Sequence, residues 1–107
     1  MDFQKLTQDA KVARVKAEAA SVAIEDGGTC NLDAAFFPLK RYESGTKLVD
    51  ALRAAGLSAG VSRWLGRGVM VSPPGYGQAD KRATANKTFI DHMRSCGYNV
   101  IGYYQMD

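Results

Sequence analysis

The sequence has one histidine, two cysteines and three prolines among its 107 residues. A single histidine, His92, excludes metal sites that need two imidazoles and most histidine-based relays. Cys30 and Cys96 lie far apart and form no Cys-x-x-Cys pair, which argues against a zinc site or a thioredoxin-like motif. We interpret both cysteines as free thiols and predict neither a metal nor any other cofactor.

The sequence also lacks an apolar run of about 18 residues, so it predicts no membrane-spanning segment. Charged residues recur throughout residues 1–21, and this pattern does not fit a secretory signal. We therefore expect a cytoplasmic protein without a membrane partner. The segment Gly75-Tyr76-Gly77 lacks the lysine and hydroxyl residues of a phosphate loop and the longer dinucleotide-binding fingerprint.

The length of 107 residues and the composition, with 46% hydrophobic and 23% charged residues, predict one globular domain spanning residues 1–107. The net charge is +3, and it is unevenly distributed. Residues 1–39 carry four basic and six acidic side chains, whereas residues 40–107 carry ten basic and five acidic ones. The basic excess of the second segment suits a phosphate backbone or an acidic protein, and it equally suits a solvated surface.

Apolar periodicity predicts an N-terminal helix over residues 3–25, within a segment 1–27 that precedes an α+β core over 28–107. Residues 30–42 are predicted to form a strand with an edge or bulge at Pro38. A short helix follows, which Ser44 or Thr46 can cap.

Residues 61–72 alternate better as two strands than as one, with Gly66-Arg67-Gly68 supplying the turn of a hairpin. Asp80 can cap the next helix, which Gly97 ends, and residues 98–105 are predicted to form the last strand. After the first helix the order is βαββαβ, which predicts a ferredoxin-like split βαβ fold with a mostly antiparallel sheet and two helices on one face. If residues 61–72 form a single strand instead, the alternative is a three-stranded α/β sandwich.

Residues 72–82 are predicted to run from a strand through a loop, residues 73–78, into a basic helix start, and such a loop is suited to presenting side chains to a partner. Two prolines end the strand, two glycines permit positive φ, and the helix offers free N–H groups. Tyr76 and Gln78 are the candidate binding residues of the loop. Asp80, as a helix cap, would compete with an outside anion for the same N–H groups.

Cations and flat rings recur in the second half of the chain, and this mixture can hold phosphates and stack bases. RNA-recognition domains place aromatic residues on the central strands of such a sheet, but residues 67–71 lack rings. We therefore expect the tryptophan and the tyrosines to fill the core or an interface. The candidate binding residues outside the loop are Arg63, Trp64, Arg67, Lys81, Arg82 and Lys87.

Three segments carry a resemblance to a known group of proteins: residues 28–33 (Gly-Thr-Cys-Asn-Leu-Asp), 75–82 (Gly-Tyr-Gly-Gln-Ala-Asp-Lys-Arg) and 103–107 (Tyr-Tyr-Gln-Met-Asp). Residues 28–107 resemble small proteins of unknown function that bacteriophages and prophages encode. The resemblance implies an action by binding to a host protein or nucleic acid, and it implies no catalytic residue.

Together these observations predict a non-enzymatic binding module that engages a host macromolecule, with a host protein favoured. The first alternative is a nucleic-acid-binding protein that uses the basic residues. The second is a small cysteine-dependent enzyme, because His92 and Cys96 are four residues apart and share a helix face. In the simpler interpretation, His92 is a helix-surface histidine beside a core cysteine.

Overall fold

The computed structural model describes residues 1–24, 33–74 and 80–103, which form three helices and a four-stranded antiparallel sheet. The predicted α+β class is confirmed. The three-stranded alternative is wrong, because residues 61–72 turn back on themselves and contribute to two strands. The elements are α1 (Phe3–Val22), β1 (Ala34–Pro38), α2 (Gly45–Ala54), β2 (Ala59–Ser62), β3 (Gly68–Val71), α3 (Asp80–Ser95) and β4 (Ile101–Tyr103).

The strands lie in the order β2-β3-β1-β4, so β3 and β1 are the inner strands. Phe36 of β1 pairs with Met70 on one side and with Ile101 on the other. Pro38 was expected at an edge or a bulge, but it is the last residue of the inner strand β1, opposite Gly68. A proline is tolerated there because its missing N–H falls where the strand ends.

The helix ends are determined by residues next to them in the sequence. Ser44, the first of the two predicted caps of α2, accepts a hydrogen bond from the backbone N of Lys47 at 3.2 Å. Gly56 and Gly97 adopt positive φ values of 90° and 95° just after α2 and α3, as glycine allows at helix ends. The described part of α3 begins with Asp80 itself, the residue predicted as its cap.

Helix α1 packs against α3 and α2 through a narrow stripe of small residues. It begins after Asp2, whose side chain accepts from the backbone N of Lys5, and its last residue is Val22. The predicted end at residue 25 lies outside the described residues. The buried side chains of the stripe are Leu6, Ala10, Ala13, Ala17 and Ser21.

The core lies between one face of the sheet and the helices. Ala35, Phe37, Val69 and Val71 face it from β1 and β3, and they belong to one cluster with apolar residues of all three helices. In the described part of the chain, no helix is long and apolar enough to cross a bilayer. Among the described residues, the helices pack on this face of the sheet only, and we call the other face the open face.

Candidate functional site

The open face of the sheet carries the side chains that alternate with the core residues. Because successive strand residues point to opposite faces, Phe36 and Met70 point away from the helices when Phe37 and Val71 point towards them. None of the four strands contains a charged residue. The face is therefore apolar, and its larger side chains are Phe36, Met70, Ile101 and Tyr103.

Trp64, in the turn between β2 and β3, lies across this face. Its ring centroid is 5.5 Å from that of Phe36 and 4.7 Å from that of Tyr103, with interplanar angles of 84° and 83°. These edge-to-face contacts are a favourable arrangement for aromatic rings. Phe36 is fully buried although it points away from the helices, whereas Trp64 remains 37% exposed. We call Phe36, Trp64 and Tyr103 the aromatic cluster.

Arg67 holds the turn that carries Trp64. Its Nη2 donates hydrogen bonds to the backbone carbonyls of Lys40, Arg41 and Glu43 at 2.7, 3.3 and 2.7 Å. The backbone carbonyl of Arg67 in turn accepts from the backbone N of Leu39 at 2.9 Å. The guanidinium predicted to meet a ligand is therefore engaged in joining two loops of the same chain.

Arg63 is the cation next to the aromatic cluster in sequence. Its side chain is exposed, and among the described residues it forms no hydrogen bond or ion pair. Leu65, on the other side of Trp64, is also exposed. The turn thus presents a cation, a flat ring and an apolar side chain in three consecutive residues.

The other basic candidates lie on α3, in the helical layer on the other side of the sheet. Lys81 Nζ donates to the backbone carbonyl of Ile24 at 2.8 Å, which joins α3 to the end of α1. Lys87 forms an ion pair with Asp91 at 2.6 Å, one helical turn away. Arg82 is partly buried, and its Nε has no hydrogen-bond partner among the described residues. The predicted basic residues therefore do not form one surface.

Tyr76 and Gln78, the candidate binding residues of the loop, lie outside the described residues, as does Cys30. Cys96 is a free, partly buried thiol. Of the predicted site residues that the structure describes, it thus brings together those of the hairpin turn, Arg63, Trp64 and Arg67, and no others.

His92 and Cys96 are close, as their spacing predicted, with Cys96 Sγ 3.6 Å from His92 Nε2. Lys16 Nζ lies 3.2 Å from the other ring nitrogen, Nδ1. An ammonium can only donate, so Nδ1 accepts and the imidazole proton of the neutral ring is on Nε2, facing the sulfur. In this arrangement the ring offers the thiol an N–H rather than a lone pair, which is unsuited to removing the thiol proton.

A second polar cluster, which the sequence reasoning missed, joins the start of α1 to the connection between α3 and β4. Asp9 Oδ2 accepts from Lys5 Nζ at 2.7 Å and from the Tyr98 hydroxyl at 2.8 Å. The bond from Lys5, followed by that from Tyr98, lowers the pKa of the Asp9 carboxyl. Burial, followed by the bond to Asp9, raises the pKa of Tyr98 to about 12. No sequence signal links two residues so far apart.

Lys5 and Tyr98 also line a cleft of about 430 Å³, whose apolar wall includes Phe37 and Leu48.

Across the described ranges, no three histidine, cysteine or acidic side chains converge in a way that could hold a metal ion. The chain matches no protein-family model, no curated protein and no solved structure. The functional argument therefore depends on the residues and their geometry.

Proposed function

We propose that this protein is a non-enzymatic binding module whose contact surface is the open sheet face centred on Trp64, and that its partner is a protein. The observation that carries the proposal is the aromatic cluster, which projects a partly exposed tryptophan from a face without charged strand residues. Tryptophan, tyrosine, methionine and arginine are the residues enriched in protein interfaces, and Trp64, Tyr103, Met70 and Arg63 supply all four.

The fold proposed for this module is the ferredoxin-like one, with α1 added before it. The succession βαββαβ from β1 to β4 and the sheet order β2-β3-β1-β4 support this assignment. In such an arrangement both helices of the repeat cover one face, and the other is available to a partner.

The packing of Trp64 also supports a binding role. Edge-to-face contacts with Phe36 and Tyr103, together with the turn that Arg67 holds, fix the position of the indole before any partner arrives. A side chain that is already ordered loses little conformational entropy on binding, so more of its contact energy contributes to affinity. The resemblance to phage-encoded proteins favours a host macromolecule as the partner.

Single-stranded nucleic acid is the second candidate, favoured by the position of Arg63 beside Trp64, since a cation and an aromatic ring can engage phosphate and base together. Two observations weigh against it. Met70, rather than a ring, lies opposite Phe36 on the inner strand β3, and the cations of α3 lie on the other side of the sheet. Nucleic-acid binding would weaken steeply with added salt, whereas binding to an apolar protein surface would not.

The test is capture of partners from host-cell lysate on immobilised protein, with and without nuclease and at two salt concentrations. The variants are Trp64→Ala, which removes the exposed ring, and Arg63→Glu, which leaves the cluster in place. Tyr42→Ala and Arg41→Glu are matched controls, because both side chains are exposed outside the sheet.

A defined protein that survives nuclease, is retained by both controls and is lost with Trp64→Ala supports the proposal. Its direct binding to the purified chain is then measured by calorimetry. Retention that nuclease or moderate salt abolishes, and that Arg63→Glu also abolishes, selects nucleic acid instead. Equal retention by the wild type, Trp64→Ala and Arg63→Glu refutes both candidates.

A further inference from the structure

Helix α1 has a second apolar stripe, on the side opposite the one it buries. Val12, Val15, Ala19 and Val22 follow each other at spacings of three, four and three, which places them on one side of the helix. Val12, Val15 and Val22 are 47%, 57% and 76% exposed. The described elements that contact α1, namely α2 and α3, pack against its other side.

Exposed β-branched residues of this kind make the helix less stable by themselves. Valine is a weaker helix former than alanine, because its side chain loses rotamer freedom against the preceding turn. Single exposed apolar residues are normal on protein surfaces, but here three valines share one continuous stripe. Burial against an apolar partner would offset the cost.

We infer that this stripe pairs with the same stripe of a second copy of the chain, with the two helices antiparallel about a two-fold axis near Val15. The charged side chains beside the stripe indicate both the partner, a second copy of the chain, and the antiparallel direction. Lys11 and Glu18 are two helical turns apart and lie along the same edge of the stripe. In an antiparallel pair, equal edges face each other, so Lys11 faces Glu18 of the partner subunit, and the symmetry makes this contact twice.

A parallel pair is disfavoured by the same charges. In a parallel pair opposite edges of the stripe face each other, which brings Lys11 towards Lys16 of the partner subunit. In the antiparallel pair the Lys16 ammonium stays beside His92 of its own chain, 3.2 Å from Nδ1. The pattern of charges thus fits one direction only.

Both members of the proposed contact are available. The Lys11 side chain is exposed, and it forms no hydrogen bond or ion pair with the described residues. Glu18 accepts from Arg14 Nη1 at 2.9 Å through Oε1, while its side chain remains 40% exposed. An exposed carboxylate has acceptor sites for a second cation.

The interface is small, because one face of one helix buries less than the ~1,200 Å² of stable protein complexes. We therefore expect a weak dimer with a dissociation constant in the micromolar range or above. This surface lies in the helical layer and is separate from the open sheet face, so the inference does not depend on the proposed function.

Sedimentation equilibrium over a concentration series tests the inference. Val15→Glu is expected to leave only monomer, and Val61→Glu is the matched control, because Val61 is an equally exposed valine on β2. Lys11→Glu alone and Glu18→Lys alone are each expected to raise the dimer dissociation constant roughly tenfold or more, since each replaces two attractions by two repulsions. An equimolar mixture of these two variants is expected to restore the dimer, because their charges are complementary.

Circular dichroism melts of every variant show whether the fold is retained. A wild-type chain that is monomeric at all concentrations overturns the inference. So does a dimer that survives Val15→Glu, or one that Trp64→Ala abolishes, since that dimer uses the sheet face. Failure of the mixed charge variants to associate better than either alone overturns the antiparallel arrangement.

Discussion

The ring of Phe36 occupies the space where a side chain at residue 68 would lie. A Cβ built on Gly68 would be 2.6 Å from Phe36 Cε1 and 2.6 Å from the carbonyl oxygen of Phe37. Both distances are far below an ordinary van der Waals contact. Gly68 is therefore required by close packing across β1 and β3, and it leaves room for the Phe36 ring that makes the edge-to-face contact with Trp64.

Replacement of Gly68 by alanine is expected to lower the free energy of unfolding by about 2 to 3 kcal/mol, because either the ring or the backbone of β1 must move. Chemical denaturation measures the change. Gly60→Ala is the matched control on the neighbouring strand, since a Cβ at that position meets nothing within 4 Å. Equal stability of the two variants would show that the contact is relieved without cost.

Arg67→Met is expected to cost about 2 to 3 kcal/mol of stability, because the carbonyls of Lys40 and Glu43 lose a charged donor. The turn should also loosen, so that Trp64 becomes more exposed. The chain has a single tryptophan, so its fluorescence reports on this position alone. We expect a red-shifted emission maximum and faster quenching by acrylamide at temperatures well below the melting transition.

Arg41→Met is the control for this experiment, since that side chain is exposed and contributes only its backbone carbonyl to the contact. Unchanged emission in Arg67→Met, with stability equal to that of Arg41→Met, would mean that the three hydrogen bonds do not fix the turn.

The cluster of Asp9 and Tyr98 predicts a loss of stability at both ends of the pH range. The pKa of Asp9 is lowered in the folded state, so its contribution is present above the unfolded value of about 4 and is lost as the pH falls through the folded pKa. The pKa of Tyr98 is raised to about 12, so its contribution is present below about 10 and is lost as the pH rises from there towards 12. Denaturation midpoints at a series of pH values measure both limbs.

Tyr98→Phe separates the two limbs. The variant should lose about 1 kcal/mol at neutral pH, the value of one hydrogen bond, and should no longer show the part of the alkaline loss due to Tyr98. Its acid limb should be smaller, because Asp9 retains only the bond from Lys5. A stability profile identical to that of the wild type would contradict the role given to the hydroxyl.

The sequence by itself determined the features that depend on neighbouring residues. The hairpin follows from the glycines on either side of Arg67 between two apolar runs, and the start of α2 follows from a capping hydroxyl, which the sequence offers at Ser44 and Thr46 and the structure places at Ser44. The buried stripe of α1 follows from the spacing of Leu6, Ala10 and the alanines after them. Such features are decided by local hydrogen bonds and by the helical period, so they can be derived without a fold.

Only the tertiary structure decided what these elements bring together. It placed Trp64 between Phe36 and Tyr103, although the three residues belong to different parts of the chain. It showed that Arg67, a candidate ligand-binding residue, donates hydrogen bonds that hold the turn between β2 and β3. It also showed that the Tyr98 hydroxyl donates a hydrogen bond to Asp9. These contacts depend on which strands are neighbours and how the helical layer packs on them, and long-range packing leaves no periodic signal in the sequence.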